Sequence, residues 1–296
     1  MSQARPREER TGAGILTMAL AVVFFTCIDT SAKWLTLAGL PVIQVVFCRY
    51  LGHLVYALAL YGPQEGRDIF RSNAPVRQVL RSVFLFGSTI CNFMALKYLP
   101  ITVTTTIAFA QPILITLLAI PILGEKVGLR RFLAVCTGFL GVLVVVQPWR
   151  AEFHPAMFFS LAALTIASLY FIMTRMLAGI ETQATQQLWS TALATIVLLP
   201  FALNVWTWPE TGLQWLILCA IGGFGAAGHI AANLAHRWAD ASILAPMIYS
   251  QIFLAAVAGI LVFDTWPTVW TLGGGLIIIA SGLYIWQRER SLAKRP

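Results

Sequence analysis

Gln111 and Gln251 lie 140 residues apart and share a similar approach. Ala95-Leu96-Lys97-Tyr98 leads through Thr102 to Gln111, and Ala235-His236-Arg237-Trp238 leads through Ser242 to Gln251. An amide offers two donors and an acceptor without a charge, which suits a zwitterionic or varied small ligand. Each glutamine falls about ten residues into an apolar stretch, roughly 15 Å deep at a helical rise. Pro112 follows Gln111, and Pro246 precedes Gln251 by five residues. A proline frees a backbone carbonyl and can kink a helix, so both are candidate hinges. The alternative for each glutamine is a helix–helix hydrogen bond with no ligand involved.

The charges inside apolar stretches form a second group. Asp29 and Lys33 are four residues apart and share one helix face. Asp29 and Arg49 each fall about 12 Å from the same end of their stretches. A charge within a bilayer needs a partner or a wet cavity. An Asp29–Arg49 or Asp29–Lys33 pair is therefore expected. It serves either to fix helix packing or as a gate or dock for a substrate carboxylate. His53 lies four residues beyond Arg49, and His229 and Asn233 show the same spacing. Either histidine is a proton-coupling group or a packing residue. Asn92, Tyr98, Tyr170, Trp189 and Tyr249 are further candidates for substrate contact. An aromatic wall would receive an apolar or aromatic side chain, with core packing as the alternative.

These residues need long helices to position them. The chain of 296 residues is 58% hydrophobic and 11% charged, against roughly 45–50% and about 25% in ordinary soluble domains. Apolar spans are expected over 12–37, 41–61, 78–98, 101–123, 128–147, 155–177, 183–205, 212–235, 240–262 and 267–287. Each is about long enough to cross a hydrocarbon core of roughly 30 Å. Gly39-Leu40-Pro41, Gly62-Pro63, Leu99-Pro100, Gln147-Pro148 and Trp266-Pro267 mark joints. With the N-terminus inside, sixteen Lys and Arg fall in inside segments, and only Lys97 and Arg150 fall outside. That asymmetry follows the positive-inside rule and favours ten spans over nine. Trp149, Trp206, Trp208, Trp215, Trp266 and Trp270 lie at outer helix ends, where indoles favour the headgroup layer.

Ten spans divide into two fives, residues 1–150 and 151–296. Five is odd, so the second half starts on the opposite side. Lys97 then lies outside and its counterpart Arg237 inside. The fold class expected is an all-α integral membrane protein, a 5+5 inverted repeat around a central cavity, with the binding site near the midplane.

Other classes fit poorly. The net charge of +8 reflects inside loops rather than a nucleic-acid partner. The five cysteines all fall in apolar spans with no CxxC pair, so neither a disulfide framework nor a metal site is expected. The first apolar stretch is too long for a signal-peptide core and is taken as a mature helix. The four histidines sit in no HExxH or acidic metal motif, and neither a GxSxG nor a phosphate-binding loop occurs. A membrane enzyme or a non-transporting scaffold is therefore disfavoured. No cofactor, nucleotide-binding domain or obligate protein partner is expected; the partners are a small-molecule substrate and the lipid bilayer.

Several short motifs occur in a telling order. They are Phe47-Cys48-Arg49-Tyr50, Ala95-Leu96-Lys97-Tyr98-Leu99-Pro100, Gln111-Pro112, Gly124-Glu125-Lys126 and Gly138-Phe139-Leu140-Gly141-Val142 in the first half. Ala245-Pro246-Met247-Ile248-Tyr249-Ser250 and Gly282-Leu283-Tyr284 follow in the second. Over about residues 12–287 the chain resembles the drug/metabolite transporter superfamily, in its ten-helix EamA-like branch, and most closely the YddG-type amino-acid exporters. It departs from the pattern at Asp264, which lacks a preceding glycine. The resemblance implies a basket with helices 1, 3, 4, 6, 8 and 9 around the cavity. It also implies export of amino acids or related metabolites across a bacterial inner membrane, with both termini cytoplasmic. A drug or a nucleotide sugar is the alternative cargo.

Overall fold

The computed structural model describes residues 11–123, 129–147, 149, 153–177, 179–239, 244 and 247–293. These residues are helical almost throughout. The helices are α1 (Thr11–Leu37), α2 (Val42–Glu65), α3 (Pro75–Tyr98), α4 (Ile101–Ala108), α5 (Gln111–Leu123), α6 (Leu129–Val146), α7 (Met157–Met176), α8 (Gln183–Asn204), α9 (Gly212–Trp238), α10 (Gln251–Phe263) and α11 (Val269–Ala293). A 3-10 turn, Gly66–Phe70, follows α2. Among the described residues, eight helical segments are long and apolar enough to cross a membrane, with α4 and α5 counted as one. Phe132–Val146 and Met247–Phe263 are shorter apolar helices.

An apolar solvent leaves backbone groups no partner outside the chain, which is why the spans are helices. Hydroxyls inside the spans obey the same demand. Thr26, Thr36, Thr106, Ser168 and Thr191 each donate to a carbonyl one turn earlier, at 2.6–3.0 Å. Among the described residues, helix starts have side-chain caps at three places, one of them at α11, where Thr268 accepts from the Thr271 N–H at 3.1 Å. Thr182 accepts from the Thr185 N–H at the start of α8. Thr211 and Gln214 form a reciprocal capping box at the start of α9.

Helix ends differ from the sequence expectation at one joint. Gly62-Pro63 does not break α2, which runs through Pro63 and stops at Gly66. Close to a helix end that reaches water, one missing N–H costs little. The turn needs a positive φ instead, and Gly66 supplies it at 59°.

Four clusters of buried apolar residues form among the described residues, and the two largest fill most of the interior. One gathers Leu35, Val45, Tyr50, Leu96, Leu198 and Ile221 from α1, α2, α3, α8 and α9. The other gathers Ile107, Ile113, Val142, Leu164 and Ile278 from α4, α5, α6, α7 and α11. Each draws on residues from both sides of position 150, so the two stretches interlock rather than stand as separate bodies. We term the end bearing the turns near 38–41 and 99–100 distal, and the end bearing 66–74 and 177–182 proximal.

Helices α2 and α9 cross with their backbones in contact. A Cβ built on Gly222 would lie 2.5 Å from the Gly52 Cα, and one on Gly52 would lie 2.9 Å from the Gly222 Cα. Backbone cannot swing aside as a side-chain tip can. Gly222→Ala should therefore lower stability by about 1–3 kcal/mol. Gly273→Ala, where an added Cβ meets nothing within 4 Å, should not. Thermal melting of both variants in detergent checks the difference.

Candidate functional site

A cavity of about 600 Å³ runs between the two clusters. Its wall comes from α1, α2, α3, α4, α5, α7 and α11, together with residues 248–251. The helix-8 residues expected at the wall belong to α9, and among the described residues none lines it. Arg49 of α2 and Gly282, Leu283, Ile285 and Trp286 of α11 line it instead.

Gln111 and Gln251 both line the cavity, and they hold equivalent places in the chain. Gln111 is the first residue of α5, just after a break at Phe109–Ala110. Gln251 is the first residue of α10, just after Ser250. The first break has a clear cause: Pro112 has no N–H to continue α4, yet its fixed φ suits the first turn of α5. At the break Ala110 turns back to the Ile107 carbonyl at 3.0 Å, and Ser250 does the same to Met247 at 3.1 Å. The two breaks touch. The rings of Phe109 and Tyr249, also 140 residues apart, meet edge to face at 5.2 Å. Pro112 thus stands at a helix break on the cavity wall. Pro246, the other expected hinge, lies outside the described residues.

The distal end of the cavity is polar. Asn92 donates to Asp29 Oδ1 at 3.0 Å, and both residues line the wall. Arg49 is 7% exposed. Its Nη1 reaches Thr89 Oγ1 at 3.4 Å, and its guanidinium lies 4.8 Å from the centre of the Tyr50 ring. Its Nε is buried without a hydrogen-bond partner, as are the hydroxyls of Thr105 and Ser160 on the same wall. The proximal end is aromatic, lined by Phe171 and Trp286 together with Arg175 in the last turn of α7.

The expected ion pairs do not form among the described residues. Asp29 takes the Asn92 amide rather than Arg49 or Lys33. Lys33 points to the distal end and donates to the carbonyls of Leu96 and Leu99, both at 2.8 Å. Those oxygens end α3, where a helix leaves its last carbonyls unpaired. The Lys33 ammonium also lies 5.4 Å from the Phe263 ring centre. It thereby ties α1, α3 and α10 together at the distal end. Gln44 adds a two-way clasp to Thr207 at 2.8 and 2.9 Å.

Other residues singled out from the sequence lie away from the cavity. The rings of His53 and His229 stack at 5.4 Å between α2 and α9, and Phe25 meets His229 edge-on at 5.5 Å. Of these three, only Phe25 lines the cavity. Asn233, one turn further along α9, is not on the wall either. Tyr98 is half exposed, and its ring stacks on His154 at 5.7 Å. Trp189 donates its indole N–H to the Phe70 carbonyl at 3.3 Å and so braces the 3-10 turn. Tyr170 is held by Arg81 rather than by the cavity. Arg81 donates to Tyr170 Oη, Thr174 Oγ1, Ser190 Oγ and the Gln186 carbonyl, at 2.7–3.1 Å. Sequence reasoning placed Arg81 in an inside loop, although its own span began at residue 78. Its presence inside that span was the signal for a buried cation. The lining hydroxyls of Ser88, Thr104, Thr105 and Ser160 carried no such signal, because Ser and Thr are ordinary in spans.

The EamA-like transporter family model matches the chain twice, over residues 12–147 and 154–286. The chain is 26% identical to an S-adenosylmethionine uptake transporter of Rickettsia bellii, over 95% of this chain and 96% of that one. It is 29% identical to a riboflavin transporter of Vibrio cholerae, over 95% of each chain. It is 25% identical to a pseudopaline exporter of Pseudomonas aeruginosa, over 91% of this chain and 94% of that one. A crystal structure of another protein shares the fold, with a TM-score of 0.62 at 20% identity over 98% of this chain and 100% of that one.

Replacing Lys33 with Met should loosen the distal tie, because it removes two charge-assisted bonds of about 1.5–3 kcal/mol each. The expected result is a lower melting temperature. In a Thr104→Cys background, labelling by a membrane-impermeant thiol reagent applied from the distal side should be faster. Melting and labelling rates together check this.

Proposed function

Because the chain belongs to the EamA-like transporter family, we propose that it is a secondary transporter that exports amino acids and related metabolites by alternating access. Its cargo includes aromatic and other apolar amino acids, moved across a bacterial inner membrane. In this reading the protein is a ten-span, 5+5 inverted repeat of residues 1–150 and 151–296. Eight long apolar spans and two shorter ones support the count. The double family match supports the repeat. The proximal end is the cytoplasmic one, and both termini lie there, in keeping with the bias of Lys and Arg toward that side.

The observation that carries the reading is the wall of the cavity. It is built from both halves, with Gln111 and Gln251 on it at matching helix breaks. Broken helices at a midplane site are how many carriers expose polar groups to cargo without exposing them to lipid. The Lys33 tie at the distal end and the wall running to Arg175 and Trp286 at the proximal end support reading the chain as a carrier that loads from the cytoplasm. The relatives' names span S-adenosylmethionine, riboflavin and pseudopaline. S-adenosylmethionine itself carries an α-amino-acid group on a large body, which keeps an amino-acid cargo within that range.

Counterflow in proteoliposomes tests the proposal, using a panel of amino acids together with riboflavin and S-adenosylmethionine. Exchange of apolar amino acids is expected. Gln111→Ala and Gln251→Ala should each lose most of that exchange while inserting and melting like the parent. Unchanged kinetics in both variants would remove the glutamines from the site.

A further inference from the structure

We propose that the distal end of the cavity is a clamp for the zwitterionic head of an α-amino acid, with Arg49 taking the carboxylate and Asp29 the ammonium. The inference rests on the transporter reading above and fixes the cargo's head group and its orientation.

Three observations converge on this end. First, Asp29 and Arg49 share the wall as opposite charges, yet no ion pair joins them within 4.0 Å among the described residues. Two charges that packed only against each other would be paired. Second, each keeps unused bonding capacity. Among the described residues Asp29 accepts one hydrogen bond, through Oδ1 from Asn92. Arg49 donates one long bond through Nη1, and its Nε has no partner. Nε lies toward Gly225 of α9, so the edge left for a carboxylate is the Nη1–Nη2 end of the guanidinium, which can hold it through two parallel bonds. Third, the nearby wall holds two more unpartnered buried hydroxyls, on Thr105 and Ser160. Arg49 Nε, Thr105 Oγ1 and Ser160 Oγ are three of the five such atoms among the described residues, and all three belong to lining residues.

Depth places these groups together. Asp29, Arg49, Asn92, Thr105 and Ser160 lie about 5–12 Å in from the distal helix ends, at 1.5 Å per residue. Phe171 and Trp286 lie toward the proximal mouth. An amino acid therefore binds head first, with its ammonium and carboxylate deep and its side chain toward the aromatic mouth. The clamp reads both poles of the head and leaves room for bodies of different size.

The test uses the full-length protein in proteoliposomes. The probes compete against counterflow of the best-carried amino acid. They are that amino acid, its methyl ester, which lacks the carboxylate, and its deaminated acid, which lacks the ammonium. In the wild type, each truncated analogue should compete at least about tenfold more weakly, as expected when a charged hydrogen-bond partner is left unpaired. Arg49→Gln should raise the half-saturation concentration for the amino acid about tenfold or more and erase the discrimination against the ester. Asp29→Asn should erase the discrimination against the deaminated acid. If the ester and the acid compete as well as the amino acid, the clamp is wrong while amino-acid transport stands. Exchange of riboflavin with no exchange of amino acids or S-adenosylmethionine overturns the clamp and the amino-acid cargo but leaves a carrier. Exchange of S-adenosylmethionine alone overturns free amino acids as cargo and supports the clamp, because that molecule carries the same zwitterionic head. No exchange of any probe overturns the carrier reading itself. The wild-type analogue series decides the matter even where a variant fails to fold.

Discussion

A cation placed in a hydrocarbon layer must find acceptors, and three buried cations here find them to very different degrees. Arg81 has four acceptors and the face of Tyr170. Lys33 has two helix-end carbonyls and the Phe263 ring. Arg49 has one long hydroxyl bond and the Tyr50 ring. That gradient organises the bundle. The first cation locks α3 to α7 and α8, and the second ties α1 to the end of α3. The third is left short of partners on the cavity wall. A cation that is neither paired nor in bulk water demands a ligand or trapped solvent, and the cavity supplies the space.

The interlocked halves follow from the same economy of polar groups. Breaking a helix in the membrane exposes carbonyls, and this chain does so twice, at Phe109–Ala110 and at Ser250. Both breaks face the cavity and each other, so neither is presented to lipid. The glutamines that open α5 and α10 share that sheltered position. The outer helices α6, α8 and α9 contribute packing instead, with glycine crossings at Gly52–Gly222 and Gly141–Gly274 bringing backbones close.

Much of this was legible in the residues, and the limits have physical causes. Span lengths and apolar runs gave the helices because a bilayer filters for both. The 140-residue echo paired Gln111 with Gln251, the residues that open α5 and α10 after the breaks, although the prolines do not recur at that spacing. What the chain could not reveal was rotation. Where a helix is apolar on nearly all sides, nothing marks which stripe faces inward. Tyr98, Tyr170 and Trp189 therefore looked equivalent to Tyr249, yet only Tyr249 lines the cavity. Partner choice was hidden for a similar reason. Asp29 had two candidates by spacing or depth, Lys33 and Arg49, and it took a neutral amide on α3 instead. Lys33 could not be assigned to carbonyls at the end of α3, because backbone acceptors leave no trace in residue identity.

The meeting of Phe109 and Tyr249 has a genealogical side. If two identical half-length chains paired about an axis, each ring would meet its own copy there. Fusion of the halves into one chain releases that constraint, and the two positions can then drift apart. Here they differ by a hydroxyl, and its space is taken from a neighbour: a Cβ on Gly282 would fall 2.2 Å from Tyr249 Oη. The position 140 residues before Gly282 is Val142, buried in the same cluster as Phe109. One half carries the larger ring beside a bare backbone, and the other the smaller ring with a branched side chain at the matching position. The two matching positions thus divide their volume unequally.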